Sequence, residues 1–182
     1  MKRKYKWLIG CLVFIAILLL SAGMYFFHVA EVRDVAADKP DKLRAKTNSL
    51  YHYEHDFLSR EKQTWTQKTS DNLKLIAWYV PAEKKTGKTA ILAHGWHNNK
   101  TTMAIYGELF HELGYNVLIP DNRAHGDSQG EMIGYGWLDR RDYIGWLNQI
   151  LENNGQKSDI VMYGMSTVSY THLRAHETCA DL

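Results

Sequence analysis

Cysteine is almost missing: the 182 residues hold two, Cys11 inside an apolar N-terminal run and Cys179 near the end. Neither can join a disulfide framework or a cysteine-based zinc site in the body of the protein, so cysteine chemistry is excluded as the function. An excess of charge of one sign is also missing, with 22 Lys+Arg against 20 Asp+Glu. Four of the basic residues, Lys2, Arg3, Lys4 and Lys6, precede Trp7, leaving 18 against 20 acidic ones beyond it. That balance argues against a nucleic-acid-binding domain. What is present is 45% apolar and 12% aromatic residues, enough for one ordinary globular domain plus something more apolar, and not a disordered or collagen-like chain.

The apolar surplus lies at the start. Trp7 to Phe27 contains no charged residue, and its 21 residues at ~1.5 Å rise reach roughly 31 Å, close to the thickness of a bilayer's hydrocarbon core. The basic cluster before it, set against Glu31, Arg33 and Asp34 after it, places residues 1–6 in the cytoplasm and everything beyond His28 outside. Trp7, Tyr25 and Phe26 fall near the two interfaces. A cleaved signal peptide would have a shorter apolar run and a small-x-small site after it, so 7–28 reads as an uncleaved, single-pass anchor. Only Trp7 separates the basic cluster from the Leu8–Cys11 box, which speaks against lipidation at Cys11.

Residues 29–60 read as an extracytoplasmic stalk, broken by Pro40, running into a helix that packs on the domain through Leu50, Tyr51, Tyr53, Phe57 and Leu58. From 61 to 166 strands and helices alternate. Thr64–Thr69 and Leu73–Val80 fit two strands joined by the Ser70-Asp71-Asn72 turn. Lys88–His94, Tyr115–Pro120 and Asp159–Tyr163 read as buried strands. A helix capped by Thr101 or Thr102 places Tyr106, Leu109, Phe110 and Leu113 on one face and ends at Gly114. A second helix over about Leu138–Glu152 does the same with Tyr143, Trp146, Leu147 and Ile150. The pattern predicts an α/β architecture, about five strands and two crossover helices, with a parallel sheet.

The fifth strand runs into Gly164-Met165-Ser166, the spacing of a serine on a sharp turn at the carboxyl end of a central strand. By itself this is an ordinary strand-ending turn. Two upstream motifs change its meaning: His94-Gly95-Trp96 ends the third strand, and Asp121-Asn122-Arg123-Ala124-His125-Gly126-Asp127-Ser128 follows the fourth. In this order and at about these distances, the three motifs resemble those of the α/β-hydrolase fold family, in its serine-peptidase and esterase-like branch. More narrowly they are similar to bacterial membrane-anchored cell-surface hydrolases. The likeness spans roughly Thr64 to Ser166.

The resemblance implies Ser166 as nucleophile, with the backbone N–H groups of Trp96 and Thr167 as oxyanion donors. It implies loop-bracing roles for His94, Gly95, Asp121, Arg123, His125 and Gly126, with Ala124 where the family has Gly. His97 could face substrate, or be an exposed loop histidine. Trp96, Tyr135 and Trp137 suggest an apolar acyl pocket, though core or surface roles fit each as well. No cofactor or metal is implied, and the partners expected are an acyl-bearing small molecule or peptide and the membrane, not nucleic acid.

The family pattern then stops. Val168 stands where G-x-S-x-G requires Gly, and the triad acid and histidine, expected well downstream, are absent from the 16 residues after Ser166. Val168–Thr178, VSYTHLRAHET, resembles one translated frame of a sequencing-library adapter, so 167–182 is expected to be a non-native tail. His172, His176 and Glu177 are assigned no role, and Cys179 is set aside with them. This exact chain without its anchor is expected to be aggregated or degraded, and inactive. The intact gene product is expected to be a membrane-anchored extracytoplasmic serine hydrolase. The alternatives are another elbow chemistry on the same fold, such as carbon–carbon bond hydrolysis or cofactor-free haloperoxidation, a non-catalytic surface-binding protein that keeps the fold, and a plain membrane-tethered structural protein.

Overall fold

The computed structural model describes residues 2–36 and 42–166. The chain divides into two compact units, Met1–Val32 and Arg33–Leu182. The first is a single helix, α1 (Lys2–Glu31). Its segment from Lys4 to Glu31 contains an 18-residue window of mean hydropathy 2.5 and is long and apolar enough to cross a membrane. Its apolar side chains stay outward, with Leu20 68% and Phe14 65% exposed.

The second unit carries a five-stranded sheet in the order β1-β2-β4-β3-β5. The strands are β1 (Gln63–Lys68), β2 (Lys74–Val80), β3 (Lys88–Ala93), β4 (Asn116–Pro120) and β5 (Asp159–Gly164). Around them run α2 (Tyr51–Ser59), a 3-10 turn (Lys100–Met103), α3 (Ala104–Glu112) and α4 (Asp139–Asn154). β3 pairs in parallel with both β4 and β5. The sheet is nevertheless mixed, because β2 is antiparallel to β1 and to β4. The expectation of a parallel sheet therefore holds only for β3, β4 and β5. A parallel crossover takes about a dozen residues or more, and the 81–87 connection between β2 and β3 is too short for one.

Both sheet faces are covered. On one, Tyr143, Trp146 and Ile150 of α4 pack on Leu75, Ala77, Ile91 and Leu118. On the other, Phe57 of α2 and Met103 and Ala104 pack on Val80, Leu92, Val117 and Ile119. Burial on two sides is why β3 and β4 read as almost unbroken apolar runs.

The face of α4 is the one its periodicity predicts. That of α3 is so only in part: Tyr106 and Phe110 pack against the core, but Leu109 is 41% and Leu113 62% exposed, whereas Glu108 and His111 are buried. The reason is tertiary. Phe57 lies so close to α3 that a Cβ on Gly107 would sit 2.6 Å from its ring, so α2 claims the Gly107 side. Arg60, just past α2, then donates through Nε to Glu108 Oε2 at 2.7 Å, which satisfies the buried carboxylate. The cap also differs from expectation. Asn99 accepts from the Thr101 N–H at 2.9 Å, and Thr102 Oγ1 donates to the Asn99 carbonyl, so the helical turn starts earlier than Thr101 or Thr102 would start it.

Candidate active site

Strands β3, β4 and β5 are parallel, so their carboxyl ends lie side by side and their following residues converge. The chain reaches β4 from β3 through α3 and reaches β5 from β4 through α4, on opposite faces. Such a reversal opens a crevice at the strand ends, where ligands of open α/β sheets bind.

Ser166 stands at this point. The Met165 N–H donates to the Ala93 carbonyl at 3.0 Å, extending the β3–β5 pairing past Gly164. The chain then turns sharply, with Ser166 exposed and held at φ +61°. A non-glycine residue there carries backbone strain of the kind stored at functional turns. Gly95 faces it. A Cβ on Gly95 would lie 3.0 Å from Ser166 Cβ and 3.2 Å from the Met165 carbonyl oxygen, so a side chain there would press on the serine turn. The geometry brings the His94-Gly95-Trp96 loop and Ser166 together, as the motif order implies.

His94 is fully buried. Its Nδ1 donates to the Gly95 carbonyl at 2.9 Å, and its Nε2 accepts from the Asn122 N–H at 3.0 Å. Both ring nitrogens are occupied and the tautomer is set, so His94 braces two loops and has no lone pair left for a proton. Burial, with the neighbouring His125 adding to it, lowers its pKa from 6.5 to about 3. A depressed folded-state pKa means the unfolded chain binds the proton more tightly below pH 6.5. Stability from this group is therefore present above pH 6.5 and lost as pH falls towards 3, at about 1.4 kcal/mol per pH unit. Urea midpoints should accordingly fall more steeply between pH 6.5 and 5 in the wild type than in His94→Gln. Equal slopes would contradict the assignment.

Asn122 was named in the sequence only as part of a motif, yet it is a hub. Besides its N–H bond, its Nδ2 donates to the His94 carbonyl at 3.1 Å, and Tyr143 of α4 donates to its Oδ1 at 2.6 Å. Asp121, fully buried, accepts from the Lys100 N–H at 2.7 Å and from its ammonium, and from the Asp127 N–H at 2.8 Å. Nothing in the local sequence marks Lys100 as part of this network. It is 4% exposed and also lies over the Trp78 ring at 5.0 Å. Arg123 forks onto Asp142 with two bonds of 2.8 Å and reaches Asp71 at 2.9 Å. Hydrogen bonding to Asp142 holds its guanidinium above the ordinary range. His125 Nδ1 donates to the Arg123 carbonyl at 2.9 Å, and its ring meets that of His94 edge to face.

Gly126 has φ +51°, and a Cβ there would lie 2.3 Å from the Asp121 carboxylate. Gly126→Ala is thus expected to cost about 2–4 kcal/mol, combining left-handed strain with overpacking on a buried charge; an unchanged thermal midpoint would refute the reading. Ala124 also sits at positive φ, +59°, a conformation that favours glycine.

Trp96 stacks on His97, ring centroids 3.9 Å apart. Trp96 and Tyr135 line one small cleft with Ile133 and Asp139. Trp137 does not share this cleft. It is 60% exposed and carries the Arg140 guanidinium over its ring at 3.6 Å, so the expected aromatic trio reduces to two. Thr167 and the residues from Val168 to Leu182, with the readings attached to them, lie outside the described residues.

No family model matches the chain. It is 27% identical over 180 residues to the uncharacterized protein YqkD of Bacillus subtilis, covering 98% of this chain and 57% of that protein. Among solved structures it is similar to the Pyrococcus furiosus esterase Pf2001, with a TM-score of 0.59 and 27% identity over 75% of this chain and 51% of the esterase. It also resembles XC6422 of Xanthomonas campestris, an α/β serine hydrolase without a lid, with a TM-score of 0.55 and 22% identity over 65% of this chain and 56% of that one. The chain thus spans little more than half the length of these relatives. Over that span the chain shares the fold of the α/β hydrolases.

Proposed function

We propose that the whole protein is a membrane-anchored, extracytoplasmic serine hydrolase that cleaves an ester, thioester or amide through an acyl-enzyme. The observation that carries this is Ser166 at φ +61° against Gly95, on a strand end where an acyl carbonyl could reach it. Ser166 Oγ attacks that carbonyl as a histidine base takes its proton. The Trp96 and residue-167 N–H groups bind the oxyanion, and the bond to the leaving group breaks as the leaving group takes the proton back. Water then repeats the attack, releasing the acid and restoring the serine. His94 is committed to bracing, so the base and its acid are to be sought in the part of the relatives' length that this chain does not span.

The anchor reading is supported by the length and hydropathy of α1 and by the four basic residues ahead of Trp7. We assign residues 167–182 as non-native and propose that the native locus continues as G-M-S-x-G to a downstream Asp or Glu and a His. The test is hydrolysis of chromogenic esters and thioesters by the protein expressed from that locus, beside its Ser166→Ala variant. Turnover lost with Ser166 supports the proposal. Turnover unaffected by the substitution would remove Ser166 as the nucleophile, and none in the wild type with any ester, thioester or amide would favour a non-catalytic binding role.

A further inference from the structure

The Asn122 amide has one orientation open to it. The His94 carbonyl can only accept, so Nδ2 must face it, at 3.1 Å, and Oδ1 is turned to Tyr143, whose hydroxyl donates to it at 2.6 Å. Tyr143 lies in the first half of α4 and is 3% exposed. Burial, with Asp139 and Asp142 adding to it, pushes its hydroxyl well above the ordinary phenol range, so the group stays a donor. The backbone around Asn122 is held on both sides, Asp121 by Lys100 and Arg123 by Asp142.

These contacts fix two peptide planes beside Ser166. A peptide is planar, and in its trans form the C=O and N–H point in opposite directions. Asn122 Nδ2, on the His94 carbonyl, sets the plane between residues 94 and 95. The His94 ring accepts from the Asn122 N–H and donates to the Gly95 carbonyl, which sets the plane between residues 95 and 96. The Trp96 N–H belongs to that second plane and points away from the carbonyl that His94 holds. Between the two planes stands Gly95, where a Cβ would lie 3.0 Å from Ser166 Cβ.

We propose that Tyr143, acting through Asn122 and His94, is a positioning residue that aims the Trp96 N–H at the acyl oxygen while Ser166 attacks. The inference rests on the serine-hydrolase reading, in which that N–H binds the oxyanion, and extends it to a crossover helix outside the three motifs. An oxyanion donor acts on charge that develops only in the transition state. A misaimed donor therefore lowers kcat and leaves KM in place.

The same core supplies a control. Tyr79 belongs to the same apolar cluster as Tyr143, and its hydroxyl donates to Asn154 Oδ1 at 3.1 Å. Asn154 Nδ2 in turn donates to Thr89 Oγ1 at 3.0 Å. This second Tyr–Asn pair sits at the end of α4 and the start of β3, whereas His94 follows the other end of β3. If the tyrosine hydroxyls only hold α4 in place, Tyr143→Phe and Tyr79→Phe should behave alike.

The protein expressed from the native locus is compared with its Ser166→Ala, Tyr143→Phe, Asn122→Ala and Tyr79→Phe variants on a chromogenic ester. Turnover is taken per serine titrated with a fluorophosphonate, so unfolded molecules do not count. The expected result in Tyr143→Phe is a kcat about 10-fold lower, less than the ~10²–10³-fold for losing a whole oxyanion donor. Its KM should stay within about two-fold of the wild type. Asn122→Ala should lose at least as much kcat, and adding Tyr143→Phe to it should bring no further loss. Tyr79→Phe should keep the wild-type kcat. An unchanged kcat in Tyr143→Phe, an equal loss in Tyr79→Phe, a loss carried by KM, or additive losses in the double variant would overturn the positioning role. Turnover abolished by Ser166→Ala would leave the hydrolase reading standing in each of those cases. No wild-type turnover, or turnover that survives Ser166→Ala, overturns that reading and this inference with it. Should Tyr143→Phe not fold, Asn122→Ala against Tyr79→Phe makes the same comparison.

Discussion

Ser166→Ala is expected to lower ester turnover by about 10⁴-fold or more, because a triad without its nucleophile retains only binding and oxyanion stabilisation. The size of the loss distinguishes a nucleophile from a residue that merely shapes the turn. Ser166 is exposed at the strand end, and alanine keeps the same Cβ against Gly95, so the fold should tolerate the change. Alanine also suits φ +61° about as poorly as serine does, so the strain is not relieved. The thermal midpoint should therefore move little while the rate collapses. A rate loss of only a few-fold would make Ser166 a positioning residue and remove the covalent step. Loss of rate together with loss of folding would leave the chemical assignment unsupported by this variant, and Ser166→Cys would then decide. A retained thiol nucleophile should label with thiol-reactive acyl analogues when the hydroxyl is gone.

Arg123→Ala is expected to destabilise the second unit by about 3–5 kcal/mol, the cost of leaving a buried charge without its partner. Asp142 is 5% exposed and takes both arms of the guanidinium fork, so nothing else can reach its carboxylate as well. Asp71→Ala is the control. That carboxylate is 50% exposed in its pair with Arg123, and an exposed pair contributes at most about 1 kcal/mol. The double change Arg123→Met with Asp142→Leu should recover most of the loss, since an apolar pair of similar volume replaces both charges. Denaturant midpoints for the four proteins decide this. Equal destabilisation by Arg123→Ala and Asp71→Ala would contradict the buried-pair account. The loop matters to chemistry because Asn122, between Asp121 and Arg123, holds His94, and His94 holds the Gly95 carbonyl beside Ser166.

Much of this architecture is legible in the sequence where local pattern and tertiary role agree. The runs KTAILA and NVLIP have no polar face to offer, and both become strands buried on two sides. Tyr143, Trp146 and Ile150 share one helical face that meets the sheet directly, so periodicity finds it. It finds only half of the α3 face, Tyr106 and Phe110, because the side that α2 covers is marked by Gly107 and by Glu108, residues that look solvent-facing until Phe57 and Arg60 arrive from about fifty positions earlier. Lys100 and Arg33 are hidden for the same reason. A lysine in a loop and an arginine in the 29–60 segment look like solvated charges, and their carboxylate or carbonyl partners lie 21 or more positions away. The mixed sheet could have been anticipated from the short 81–87 connection alone. Of the site, the three motifs indicate which strand ends meet. They do not reveal that Asn122 links them, since its role needs Tyr143 from α4 on one side and His94 from β3 on the other.

The central claim is that Ser166 is a nucleophile, and the most direct measurement is the mass of its covalent adduct. The protein expressed from the native locus would be treated with a fluorophosphonate, which phosphonylates an activated serine and expels fluoride. It would then be digested and sequenced by mass spectrometry. The account predicts one phosphonyl group on the peptide containing Ser166, absent after heat denaturation and absent in Ser166→Ala. No adduct in the wild type, or the same adduct in Ser166→Ala, would contradict it.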